Sequence, residues 1–156
     1  MNVRIIAGQL GGRIIDGSSS DKTHPMSERI RNAMFNKIAD EVVGAKVLDA
    51  FAGSGSLGLE ALSRGAHSAV FVDRDRIAQK IIEKNIFTLK VDDRSQLIKA
   101  NVSSWMNTTE EQFDIIFADP PYHDPQLSTV TKLFRLLKPN GLMVLSYPGK
   151  GERPSE

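Results

Sequence analysis

"LDAFAGSGSLG", residues 48–58, joins a β-type apolar run to a three-glycine turn and then to a helix-forming segment. In that context Gly53-x-Gly55-x-x-Gly58 permits a tight turn and close approach by a ligand. The spacing alone is weak, because it also marks NAD-binding proteins. Plain turn and packing chemistry is the competing reading of these glycines. Asp49 shifts the balance, since it sits inside the strand end, four residues before Gly53. A carboxylate there repels a pyrophosphate and attracts an ammonium group.

Outward from this turn the pattern is regular. "KVLDAF" reads as a buried strand and "SLGLEALSRG" as a helix stopped by Gly65. "SAVFVD" is a strand, "RIAQKIIEKNIFTL" an amphipathic helix and "QLIKAN" a strand, with a short helix around Trp105. "FDIIFAD" is a strand, "QLSTVTKLFRLLK" a helix ended by "PNG", and "LMVLSY" a last strand. Strands alternating with helices predict an α/β fold: a mostly parallel, doubly wound sheet with helices on both faces.

Open sheets of this kind bind ligands at the carboxyl ends of their strands. Asp73 ends "SAVFVD" and would face the same crevice as the glycine turn, where a carboxylate can accept from both hydroxyls of a ribose. Capping the following helix is its structural alternative. Asn101 ends "QLIKAN"; its amide can bond an adenine edge, with the Val102 N–H beside it, or it can serve only as a turn residue. Ala50 next to Asp49 and Arg74 next to Asp73 complete the candidate set. An ammonium near Asp49, a ribose at Asp73 and an adenine beside Arg74 and Asn101 together suit S-adenosylmethionine.

"FADPPY", residues 117–122, carries the second motif. Pro120 and Pro121 fix φ and remove two backbone N–H groups, so this loop offers carbonyl acceptors and few donors. Asp119 and the Pro120 carbonyl can accept both N–H bonds of an exocyclic amine and favour a pyramidal nitrogen whose lone pair faces a methyl donor. Tyr122 offers a ring for stacking a flipped base, worth about 1–3 kcal/mol. A proline-stiffened loop with a capping Asp is the alternative.

The N-terminal part is different in character. "VRIIAG" and "GRIIDG" (residues 3–8 and 12–17) read as a hairpin. Ser27 caps a helix over "SERIRNAMFNKIADEVV", in which Ile30, Met34, Ile38 and Val42 recur every four residues and Ala33 widens the stripe toward a core. Residues 1–37 hold six Lys/Arg against three acids, whereas the remainder holds 14 basic and 16 acidic residues. A basic end on a near-neutral body fits a phosphate backbone or, equally, a solvated face. With no cysteine there is no disulfide or thiolate metal site, and the three scattered histidines suggest no metal. No apolar run approaches the roughly 18–20 residues of a membrane span, and the N-terminus lacks a secretory core, so a cytoplasmic location is expected.

"LDAFAGSGSLGLEALSRGA", the acid of "VFVD" and "FADPPY" resemble a class I, Rossmann-like S-adenosylmethionine-dependent methyltransferase with a D-P-P-Y signature. "VRIIAGQLGGRII" with "HPMSERIRNAMFN" narrows the resemblance to RsmD, the bacterial small-subunit (16S) ribosomal RNA guanine-N2 methyltransferase family, from about Val3 to about Tyr147. The resemblance implies that Asp49, Gly53, Gly55, Asp73 and Asn101 carry the cofactor and that Asp119, Pro120, Pro121 and Tyr122 hold the guanine. It implies phosphate or cofactor-carboxylate contacts for Arg29 and Arg31, and Arg4 and Arg13 join them as candidate RNA contacts. The substrate would be small-subunit ribosomal RNA, free or within an assembling 30S particle, and nothing demands more than a monomer.

Three departures from the family pattern stand out. His24-Pro25-Met26 replaces the usual Arg-Pro-Thr, and Asn32 replaces an acid. The family continues past the last strand with an antiparallel hairpin that completes seven strands, whereas this sequence ends at Glu156. The expected organisation is therefore an RNA-facing hairpin and helix (1–44), a methyltransferase core (45–147) and a polar tail (148–156), in one globular unit. Three other functions compete. An adenine-N6 methyltransferase of DNA or RNA shares the D-P-P-Y loop but carries an extra target-recognition region. An NAD-dependent oxidoreductase explains neither Asp49 nor "DPPY". The non-enzymatic alternative is an RNA-binding module with a vestigial cofactor site.

Overall fold

The β-type runs around the glycine turn do form strands. The computed structural model describes residues 2–17, 26–120 and 126–146. The elements are β1 (Asn2–Arg4), β2 (Ile14–Asp16), α1 (Glu28–Lys37), α2 (Ala39–Val42), β3 (Lys46–Asp49), α3 (Ser56–Ser63), β4 (Ser68–Asp73), α4 (Arg76–Leu89), β5 (Ser95–Lys99), α5 (Val102–Trp105), β6 (Phe113–Ala118), α6 (Leu127–Leu133) and β7 (Leu137–Leu145). Short 3₁₀ turns precede β5 and β7.

Five strands form a parallel sheet in the order β5-β4-β3-β6-β7. The order reverses beside β3, which puts Asp49 at the switch point where open sheets bind ligands. Strand alternation divides the core between two faces. Val47, Ala69, Phe71, Ile115 and Phe117 pack with α3, α4 and Phe35 of α1. Leu48, Val70, Val72, Ile116 and Ala118 pack with α5 and α6, around Trp105, Val130 and Leu133.

The predicted hairpin is present with shorter strands, paired Asn2↔Asp16 to Arg4↔Ile14. Its loop is stitched to the end of α3. Leu10 N–H donates to Ser63 Oγ (2.9 Å), the Ser63 hydroxyl donates to Ala7 C=O (2.6 Å), and Gln9 N–H donates to Ser63 C=O (2.8 Å). Ile5 and Ile15 are buried in the same cluster as Val47 and Phe71.

The N-terminal helix corrects the predicted apolar stripe. Ser27 caps α1 as expected, accepting from Ile30 N–H (3.2 Å), but Ile30 is 55% exposed and Ala33 also faces solvent. The buried positions are Arg31 and Phe35, and the helix breaks at Ile38 (φ −109°, ψ 19°) before α2 resumes toward buried Val42. Phe35, against Phe117 at 5.5 Å between ring centroids, sets the rotation of the helix. Met34, Ile38 and Val42 still pack against the core, so the stripe fails only at Ile30 and Ala33, and Phe35 adds a large ring that the stripe left out.

The "PNG" segment corrects a second boundary. The chain leaves α6 through a 3₁₀ turn, and β7 already begins at Leu137, paired with Phe113. Register then shifts before Ile115 pairs with Leu142, so the irregularity in the strand lies between Leu137 and Leu142. Asn140 takes a left-handed φ of 66° there.

Candidate active site

Asp49, Asp73 and Asp119 converge at the carboxyl edge. Asp49 ends β3 opposite Phe71 of β4 and Phe117 of β6. Asp73 and Asp119 each lie two residues beyond those partners and so share the alternation phase of Asp49. That phase belongs to the sheet face covered by α3.

Each carboxylate is held by hydrogen-bond donors. Asp49 Oδ2 accepts from Gly58 N–H in the first turn of α3 (3.0 Å). Asp73 Oδ2 accepts from Gly53 N–H and its Oδ1 from Asp75 N–H, both at 2.8 Å. The helix cap beyond β4 is Asp75, whose side chain accepts from Ala78 N–H (2.9 Å), so the capping alternative for Asp73 falls away. The Ser146 side chain, just beyond β7, favours the ionised form of Asp119, and Ser146 N–H donates to Ala118 C=O (3.0 Å).

The electrostatics follow from this crowding. Burial, aided by the charges of Asp119 and Asp73 and opposed by the Gly58 hydrogen bond, pushes the Asp49 carboxyl up to about 8. Burial likewise raises Asp73, countered by its Asp75 and Gly53 hydrogen bonds, and raises Asp119, countered by Ser146. Three acids in one desolvated edge create a demand for positive charge. A dinucleotide diphosphate would be repelled here; a ligand bearing an ammonium and a sulfonium fits the donor set.

The glycine turn has the geometry its composition predicts. Gly53 and Gly55 take φ of 60° and 83°. Gly58 serves close packing, since a Cβ there would lie 2.4 Å from the Phe71 ring. Ala50 is fully buried, and its N–H donates to Phe117 C=O (3.0 Å).

Asn101 caps α5: its Oδ1 accepts from Ser103 N–H (2.8 Å) and from the Ser103 hydroxyl (2.7 Å). The turn role is thus occupied by the carbonyl, leaving the NH₂ as the group able to meet a base. Val102 is the first residue of α5, where an N–H has no partner within the helix. Arg74 is exposed beside Asp73. Pro120 is buried, whereas Pro121 and Tyr122 lie outside the described residues, as do His24, Pro25, His123 and the tail.

The candidate RNA arginines divide. Arg4 and Arg13 are exposed on the hairpin, Arg4 paired with Glu28 (2.5 Å) and Arg13 donating to Thr88 C=O (3.2 Å). Arg29 is exposed on α1. Arg31 is the correction: it is 1% exposed, and its guanidinium donates to Arg4 C=O (2.6 Å). Rotation of α1 about Phe35 turns it inward, where it cannot reach an RNA phosphate.

Three polar residues carry no signal strong enough to single them out from the sequence. Glu60 is fully buried; it accepts from Ile6 N–H (2.9 Å) and Ala7 N–H (3.2 Å) and pairs with Arg64 (2.8 Å). Arg64 continues to Asn32 and Asn36 of α1, each at 3.2 Å, so Asn32 takes a neutral hydrogen bond where the resemblance leads one to expect an acid. Asn85 and Ser146 are the others. Only Ser146 leaves a trace, as a hydroxyl closing the strand that neighbours "FAD". Among the described residues no cluster of His, Asp or Glu could hold a metal, and no helix is long and apolar enough to cross a membrane.

The sequence matches the family described as Conserved hypothetical protein 95 over residues 3–156. It is 37% identical to Ribosomal RNA small subunit methyltransferase D of Escherichia coli K12, across 89% of this chain and 68% of that protein. It is 35% identical to the protein of the same name from Haemophilus influenzae, across 90% and 76%. Among solved structures, a hypothetical protein of Thermus thermophilus superposes with a TM-score of 0.82 at 28% identity, across 99% of this chain and 94% of that one. A glycine turn between acids, Asp119 and Pro120 at a strand end on the same edge, and a match over nearly the whole length agree: the chain belongs to the Conserved hypothetical protein 95 family, the RsmD-type methyltransferases.

Proposed function

We propose that this protein transfers a methyl group from S-adenosylmethionine to the exocyclic N2 of a guanine in small-subunit ribosomal RNA. The observation that carries the reading is the convergence of Asp49, Asp73 and Asp119 on one edge, close enough that the charges of Asp73 and Asp119 raise the Asp49 carboxyl. When bound, S-adenosylmethionine supplies an electrophilic methyl group on a sulfonium. Asp49 faces its ammonium group. The second lone pairs on Asp73 accept from ribose hydroxyls while the first hold Gly53 and Asp75. The Asn101 NH₂ and Val102 N–H border the adenine.

Asp119 and the Pro120 carbonyl accept the two hydrogens of the guanine amine and aim its lone pair into the crevice. Orientation of this kind is worth up to roughly 7–11 kcal/mol in favourable cases. Ser146, beyond the neighbouring strand, favours the Asp119 carboxylate over its neutral form. The proton shed as nitrogen gains a methyl passes to Asp119, made more basic by burial, or to water. Pro121 and Tyr122 continue the same motif in sequence, and Tyr122 is the residue proposed to stack the base. Arg4, Arg13 and Arg29 offer phosphate contacts, on free RNA or an assembling subunit.

The test is mass mapping of methylated nucleosides in small-subunit RNA from cells with and without the protein. Loss of one N2-methylguanine on deletion is expected. Loss of an N6-methyladenine instead, or no change at all, overturns the assignment.

A further inference from the structure

Asn85 lies in the third turn of α4, remote in sequence from every motif, and is 1% exposed. Its carboxamide joins two separate parts of the molecule. Oδ1 accepts from Asp16 N–H (2.9 Å), while Nδ2 donates to Asp16 C=O (2.9 Å) and to Ser54 C=O (2.9 Å). Asp16 is the last residue of the hairpin; Ser54 lies between Gly53 and Gly55. The orientation of the amide is dictated by its partners, because the reverse would set its oxygen against two carbonyls. Both hydrogens are used, and the group has no freedom left to adapt.

The glycine turn is therefore gripped on two successive residues: Gly53 N–H by Asp73 and Ser54 C=O by Asn85. Two flanking glycines at positive φ leave this turn with few restraints of its own. Gly55 N–H also donates to Ala52 C=O (2.7 Å), but a buried carbonyl without a donor is costly, so loss of the Asn85 amide would loosen the turn at Ser54. The same side chain fixes the end of β2.

We propose that Asn85 is a positioning residue that holds the cofactor turn in its binding shape and couples it to the N-terminal hairpin. The inference rests on the reading of this turn as the S-adenosylmethionine site. Ordering of the turn by cofactor then tightens the Asp16 end of the hairpin, and a load applied at that end reaches the turn through Asn85, as reciprocal linkage requires.

The experiment is calorimetric titration of the full chain with S-adenosylmethionine, comparing wild type, Asn85→Asp and Ser63→Ala. Asn85→Asp keeps size and one acceptor but removes both donors. Ser63→Ala loosens the hairpin loop from α3 without touching the turn. Asn85→Asp is expected to weaken cofactor binding about tenfold or more, and Ser63→Ala to lower thermal stability with affinity kept within about twofold. Equal affinity in wild type and Asn85→Asp overturns the proposal, as does an equal loss in Ser63→Ala. A second readout needs no variant: hydrogen exchange of the Asp16 amide in wild type should slow when cofactor is added, and unchanged exchange also overturns it. A wild type that binds no S-adenosylmethionine sinks the cofactor reading itself, a result distinct from either.

Discussion

Asp49 and Asp119 stand at the same edge of adjacent parallel strands, near enough that the charge of Asp119 raises the Asp49 carboxyl. The pairing of Asp49 with Phe117 places Asp119 one alternation step further along the same face. Had the two acids lain at opposite ends of the sheet, no single crevice could serve both a methyl donor and an acceptor. Their juxtaposition separates two roles that mutation can test independently.

Asp119→Ala removes an acceptor for the amine but leaves Asp49, Asp73 and the glycine turn intact. Transfer to ribosomal RNA is expected to fall by about 100-fold or more, because a misaimed nucleophile loses most of the benefit of proximity. Cofactor affinity should remain within about threefold of wild type. Labelled-methyl transfer assays and calorimetry on the same preparation check both halves.

Cofactor binding beside Asp49 is expected to release a proton. Near neutral pH its carboxyl, at about 8, is largely protonated in the free protein, and an ammonium partner favours the carboxylate. Heats measured at about pH 7 in buffers of different ionisation enthalpy should reveal this release, and Asp49→Asn should reduce it. Stability has the matching sign. The folded-state carboxyl is raised above its ordinary value of 3.8, so the folded form binds more protons than the unfolded between those two values. The contribution is full below the lower value and is lost as pH rises through the upper. Asp73 and Asp119 are raised in the same direction. The urea midpoint of the free protein should therefore be lower at about pH 8.5 than at about pH 5.5, with a narrower gap under saturating cofactor.

Gly58→Ala is a test of packing at the turn. The added methyl would meet the Phe71 ring at 2.4 Å, inside a core where neither the ring nor the helix start can move freely. A destabilisation of about 1–3 kcal/mol is expected from urea unfolding. Cofactor affinity should fall as well, because Gly58 N–H is the donor to Asp49.

Much of this architecture is legible in the sequence. The apolar runs "KVLDAF", "SAVFVD" and "FDIIFAD", each separated by a helical segment, predict a parallel sheet, and three acids at strand ends predict one crevice. The N-terminal helix defeats the same reasoning, because periodicity registers hydrophobic side chains but not which of them the tertiary core selects. Phe35 wins that contest, carries Arg31 inward and leaves Ile30 outside. Asn85 and Glu60 have no signature at all. Their backbone partners lie 31 to 69 residues away, a relation that exists only after folding. Asn101 is legible in both its readings, and the structure assigns its carbonyl to one of them.

Removing exposed arginines should act through salt dependence. Arg4→Ala, Arg13→Ala and Arg29→Ala are each expected to weaken RNA binding and to reduce the slope of log affinity against log salt by about 0.7–0.9 for every phosphate no longer neutralised. Arg31→Ala should leave that slope unchanged and lower thermal stability instead. Filter binding across a salt series, with melting curves on the same variants, separates the two behaviours.

Glu60 governs how the beginning of the chain relates to everything after it. Its carboxylate, shut away from water, is satisfied by the backbone of Ile6 and Ala7 and by Arg64. A gene trimmed to begin near Ala45 would discard Ile5, Ile15 and Phe35 along with those two amides, baring an oily surface with an acid in its midst. Such a product should accumulate as insoluble material rather than as a minimal enzyme, whereas Glu60→Gln in the intact gene should yield soluble but less stable protein.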